Sequence, residues 1–125
     1  MNTKLFMVLR IIFGVLLVIF GSEKFFHFMP QPEVAFSDAV LNYMGALMNT
    51  NTIYLVGLVE LVAGLTLIFN KFAALLMIIL MSVSINAVLF HATISPGDIY
   101  GAIVLLLLNI VMLFGYKNQY KELLY

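Results

Sequence analysis

Apolar residues run along this chain in four long blocks, at 5–21, 52–69, 72–90 and 99–116. Each approaches the roughly 20 residues an α-helix needs to cross a bilayer. No block alternates apolar and polar residues with a period of two, so helices are expected rather than barrel strands. The second and third blocks are parted only around Asn70-Lys71, and the third and fourth only around TISPG. Connections this short force antiparallel neighbours. The pattern therefore predicts an all-α fold: a transmembrane antiparallel four-helix bundle, in one domain over 1–125.

The one long connection, 22–51, has a pattern of its own. MPQPE breaks the chain and can start a helix, since proline is tolerated in a first turn. Beyond it Phe36, Val40, Tyr43, Met44 and Leu47 recur at helical spacing, with Asp38, Asn42 and Asn49 off the stripe. This predicts a short amphipathic helix over about 33–48, either lying in the membrane interface or capping the bundle end. Both readings make it a lid.

Composition strengthens the membrane reading. The 125 residues are 64% hydrophobic and 10% charged, against about half apolar and a quarter charged in soluble domains. A chain this short cannot hide so much apolar surface in its own core. Net charge is zero, which gives no footprint for nucleic acid. No cysteine is present, so dithiol chemistry, disulfides and thiolate metal sites are excluded. Tryptophan is absent too, which leaves any interfacial belt to Tyr and Phe.

Lys4, Lys71, Lys117 and Lys121 fall at one end of the expected bundle, and Lys24 alone at the other. The positive-inside rule then makes both termini cytoplasmic. The first block is expected to be an anchor and not a cleaved leader. Its leading segment is only MNTK, Arg10 interrupts its apolar part, and no small-residue cleavage site follows.

Against this background the polar residues inside the blocks stand out. Glu60 lies near the middle of the second block, where a charge costs about 2.5–3.5 kcal/mol on insertion scales. Such a residue faces the bundle interior and needs a partner. Arg10 is the expected one, because it and Glu60 differ in depth by only about 6–7 Å at 1.5 Å per residue. Faces agree with this choice. Arg10, Gly14, Leu17, Gly21 and Lys24 share one stripe of the first helix; Ile53, Gly57, Glu60, Gly64 and Leu67 share one of the second. Glycine at such spacing lets helix backbones approach closely. Farther along, Ser82, Asn86 and Thr93 share a face, as do Ser84 and His91, and then Asp98, Asn109 and Tyr116. Arg10, Glu60, Asn86, His91 and Asn109 are thus candidates for ligand contact or proton relay. Their alternative role is structural, as interhelical hydrogen-bonding groups worth about 0.6 kcal/mol each.

A second polar group gathers at the loop end: Glu23, Lys24, His27, His91 and Asp98. Lys24, His27 and Asp98 are candidates for a polar mouth, or else snorkelling anchors. Two histidines on separate elements show no ligand spacing, so no metal site is expected. Phosphate-loop, dinucleotide-binding, nucleophile-elbow and zinc-hydrolase motifs are all missing.

Several of these stretches, in this order, resemble the DoxX family of small four-helix bacterial membrane proteins. They are LRIIFGVLLVIFGSEKFFHFMP, GLVELVAGLTLIFNKF, SVSINAVLFH and GAIVLLLLNIVMLFGYKNQYKELL. The resemblance covers nearly the whole chain, and Arg10, Glu60, Asn86 and His91 match polar positions that recur in the family. It implies residence in the bacterial cytoplasmic (inner) membrane. It also implies a link to quinone chemistry: members are associated with the small membrane subunit of thiosulfate:quinone oxidoreductase, with quinone and catechol stress, and with a complex handling oxidative and thiol stress. The expected function is a quinone-linked or stress-associated membrane subunit binding a lipophile beside an Arg10–Glu60 pair. A redox-protein partner or a homo-oligomer would accompany it. No intrinsic cofactor is expected beyond quinone, and whether the chain is itself an enzyme stays open. The alternative is a non-catalytic scaffold or chaperone-like subunit that binds lipid or a partner helix. A transporter ranks last, because four helices leave little room and no discontinuous or repeated span is present.

Overall fold

The computed structural model describes residues 2–29 and 36–124. Those residues are helical almost throughout and include no strand. The elements are α1 (Thr3–Phe26), α2 (Asp38–Asn49), α3 (Thr52–Phe69), α4 (Ala73–Thr93), a 3-10 turn (Pro96–Asp98), α5 (Ile99–Gly115), a second 3-10 turn (Lys117–Tyr120) and α6 (Lys121–Leu124). By length and apolar composition α1, α3 and α4 can each cross a membrane. A fourth crossing arises if α5 is counted with the segment after it, which bends away by 71°.

Local chemistry sets the boundaries. Asn2 caps α1 by accepting from Lys4 N, and nothing interrupts the helix until His27 turns left-handed at φ 51°. Helix α1 thus runs past the expected end at residue 21 and carries Lys24 on its last turns. Ser37 caps α2 by accepting from Val40 N, which starts that helix at Asp38 and not near 33; residues 33–35 lie outside those described. Asn70 closes α3 in the left-handed region, where asparagine is tolerated better than most residues. Helix α4 continues through Thr93, beyond the expected 90, so His91 belongs to its last turn.

The core joins four helices. Phe13 and Leu17 of α1, Ala63 and Leu67 of α3, Met77 and Leu80 of α4, and Met112 of α5 are enclosed together. Most other apolar side chains of the long helices point outward, Leu55, Leu58, Leu75, Leu89 and Leu107 among them. An apolar core under an apolar exterior is what lipid solvation permits.

Helices α1 and α3 make the closest contact, along the glycine stripes. A Cβ placed on Gly14 would stand 2.9 Å from Gly64 O, and one on Gly21 would stand 2.8 Å from Gly57 O. Residue numbers rise on one helix as they fall on the other, so this pair is antiparallel. Helix α5 packs chiefly on α4, fixed by Asn109, whose Nδ2 donates to Met77 O at 3.0 Å while its Oδ1 accepts from Ser84 Oγ at 2.7 Å. Helix α1 touches α5 far less than it touches α3. At the end of the molecule that carries the chain termini, Phe6 stands edge-on to Tyr116 at 5.4 Å, and Tyr116 OH donates to Asn70 Oδ1 at 2.7 Å. Toward the α2 end α1 and α5 diverge.

Candidate functional site

The expected Arg10–Glu60 pair does not form. Glu60, 5% exposed, pairs instead with Lys24, whose Nζ lies 2.5 Å from Glu60 Oε1. Among the described residues that enclosed oxygen has no other partner. The reason lies in helix register and side-chain direction. With Gly14 opposite Gly64 and Gly21 opposite Gly57, Glu60 is level with Val18. Lys24 is then about 9 Å away along the axis and Arg10 about 12 Å, in the opposite direction. Every helical side chain leans toward its own helix N-terminus. Lys24 on α1 therefore leans toward the centre, while Glu60 on antiparallel α3 leans toward Lys24. Arg10 leans away from both.

Arg10 finds another acceptor at the end it leans toward. Its Nη1 donates to Leu67 O and reaches Ile68 O at 3.3 Å. These carbonyls belong to the last turn of α3, where helix acceptors lack intrahelical donors. A cation there also meets the negative end of the helix dipole. Arg10 is thus a cap for α3 supplied by α1, and it is remote from Glu60.

The Lys24–Glu60 pair forms part of the wall of a cavity of about 600 Å³. The cavity fills the gap between α1 and α5 toward the α2 end. Its walls are mostly apolar, including Leu17 and Phe20 from α1 and Leu105 and Leu108 from α5; Lys24, Glu60, His91 and Tyr100 supply the polar side chains. Gly101 also lines it, and a Cβ there would meet nothing within 4 Å. The missing side chain thus leaves space that belongs to the cavity. A second cavity, of about 520 Å³, lies beneath α2 against α3 and α4. Tyr43 and Phe90, both in its lining, stack at 4.6 Å. Lys24, Val56, Val83, Ala87 and His91 line both spaces, so the two meet at a waist holding the lysine and the histidine.

The other candidate residues fall in different places. Asn86 lines the second cavity and donates to Ser82 O within its own helix at 2.7 Å. Asn109 lines neither cavity; it is fully enclosed and hydrogen bonded between Ser84 and Met77, the structural role. Among the described side chains the mouth cluster does not assemble as a unit. Glu23 accepts from Met29 N at 2.8 Å and ties down the chain leaving α1. His27 is exposed at the αL turn. The Asp98 side chain lies outside the described residues. Lys24 turns inward, and among the described side chains of that cluster His91 joins it at the waist. Among the described residues no three His, Cys, Asp or Glu side chains come together. Tyr100 and Gly101 were missed by sequence reasoning, since a tyrosine and a glycine at the start of an apolar helix carry no polar signal there.

Long apolar helices packed around an ion pair and an amphipathic cavity define a multi-pass helical membrane protein with a polar site between its helices. The chain belongs to the DoxX family: the DoxX family model matches residues 5–92, which span Lys24, Glu60 and His91. Comparison with curated proteins and with solved structures finds no match.

Proposed function

We propose that this DoxX-family protein is a quinone-linked, redox- or stress-associated membrane subunit that holds a lipophilic ligand in the cavity between α1 and α5. One observation carries the reading: a space of about 600 Å³, apolar in its walls, is lined by the half-buried Lys24 paired with the buried Glu60 and by His91. The volume is in the range of small-molecule sites, and apolar walls with few polar groups are what such sites have. A lysine ammonium carries three donors; with one engaged by Glu60 and a second reaching Phe20 O at 3.5 Å, the third can serve the oxygen of a ring head group. A hydrocarbon tail would leave between α1 and α5 into lipid. A buried ion pair is a poor source of stability, since desolvation offsets most of the attraction, and ligand contact gives this one a use.

In this reading four antiparallel spans cross the bacterial inner membrane with both termini cytoplasmic. Lys4, Lys71, Lys117 and Lys121 supply the positive side, and Lys24, the opposing cation, is neutralised by Glu60. Electrons would come from a redox-protein partner.

The test is mass spectrometry of the protein in native lipid particles, wild type beside Gly101→Leu. The leucine enters the cavity from a position without neighbours, so the fold is retained. Wild type is expected to hold a quinone-class lipophile and the variant to lose it. If neither form retains a specific lipophile, the ion pair serves assembly and the protein is a scaffold.

A further inference from the structure

We infer that the waist between the two cavities recognises a hydroxyl-bearing head group, of the phenol or quinol class, on a lipophilic ligand. This rests on the cavity between α1 and α5 being a ligand site. The Nδ1 atom of His91 lies 3.0 Å from Ser95 O, and a carbonyl oxygen only accepts, so Nδ1 carries the proton. In the neutral ring Nε2 is then an acceptor. Among the described residues no hydrogen bond reaches Nε2. The residue lines both cavities, as does Lys24.

The waist therefore presents two complementary groups, a histidine acceptor and a lysine donor. A hydroxyl satisfies both, giving its proton to Nε2 and accepting from Nζ. A carbonyl or ether oxygen can accept from Nζ but leaves Nε2 without a partner. An anionic head would compete with Glu60, which lies 2.5 Å from the same Nζ and already offsets its charge. The chemistry thus favours a neutral O–H head. The apolar walls on both sides of the waist take the hydrocarbon.

The experiment measures binding of three radiolabelled probes under anaerobic conditions to the full chain in lipid nanodiscs: decylhydroquinone, its dimethyl ether, and decanol. Wild type is expected to prefer the hydroquinone over the ether by about tenfold, the value of one net hydrogen bond. His91→Phe removes the preference, and His91→Gln, which keeps an acceptor, restores part of it. This pattern also guards against a variant that only loosens the end of α4, because loosening weakens both probes together. Decanol binding as tightly as the hydroquinone supports hydroxyl recognition with an aliphatic alcohol as its source. Equal binding of hydroquinone and ether to wild type overturns the inference and leaves the lipophile site standing. Failure of all three probes to bind overturns both.

Discussion

Gly64 lies where α3 crosses α1 most closely, and alanine at this position sets two opposing terms against each other. In a helix interior alanine is favoured over glycine by about 1 kcal/mol. Against that, a Cβ on Gly64 would stand 2.6 Å from Gly14 O and 2.9 Å from Val18 N. Both are backbone atoms of α1, so no side chain can turn aside. Restoring ordinary contact moves the helices apart by roughly 0.8 Å. Overpacking of this kind costs about 1–3 kcal/mol, and backbone-to-backbone interference belongs near the top of that range. The separation also draws Lys24 away from Glu60. The clash wins: Gly64→Ala is expected to destabilise by about 2 kcal/mol, roughly thirtyfold in the folding equilibrium. Gly45→Ala in α2 is the matched control, since a Cβ there meets nothing within 4 Å; it should be neutral or slightly stabilising. The assay is SDS titration in mixed micelles, read by a fluorophore pair on introduced cysteines, which label cleanly because the chain has none of its own. Gly64→Ala unfolding at the same SDS fraction as Gly45→Ala would refute the close-packing argument.

Two further substitutions address the polar groups. Lys24→Met strands the Glu60 carboxylate and should cost about 3–5 kcal/mol, with much of the loss recovered in Lys24→Met/Glu60→Leu; Arg10→Met should show no such coupling to Glu60→Leu in the same titration. Asn109→Leu leaves Met77 O and the Ser84 hydroxyl without their interhelical partner and should lower stability by about 1–2 kcal/mol, with binding of the lipophile unchanged; selective loss of the ligand would assign Asn109 to the site.

The candidate site was legible in part. Glu60 is conspicuous because a carboxylate inside a membrane helix must be enclosed and paired. His91 and Lys24 were visible as polar residues near helix ends. Both were grouped with Glu23, His27 and Asp98 at the loop end, apart from Glu60; the register of α1 on α3 brings Lys24 to Glu60, and α4 continuing through Thr93 sets His91 in the same cavity lining. Gly101 could not be read as part of a cavity wall, since an absent side chain matters only where two helices diverge.

The apolar blocks and the shared glycine stripes were decided by the sequence alone. Hydropathy acts locally, and a helical period assigns each residue to a face without any knowledge of its neighbour. That was enough to pair α1 with α3 along Gly14, Gly21, Gly57 and Gly64. The choice of Lys24 over Arg10 as partner for Glu60 was decided only by tertiary structure. Both cations share the same stripe, so their faces cannot separate them. Axial register and the lean of each side chain toward its own N-terminus do, and register is a property of two helices in contact that neither helix carries by itself.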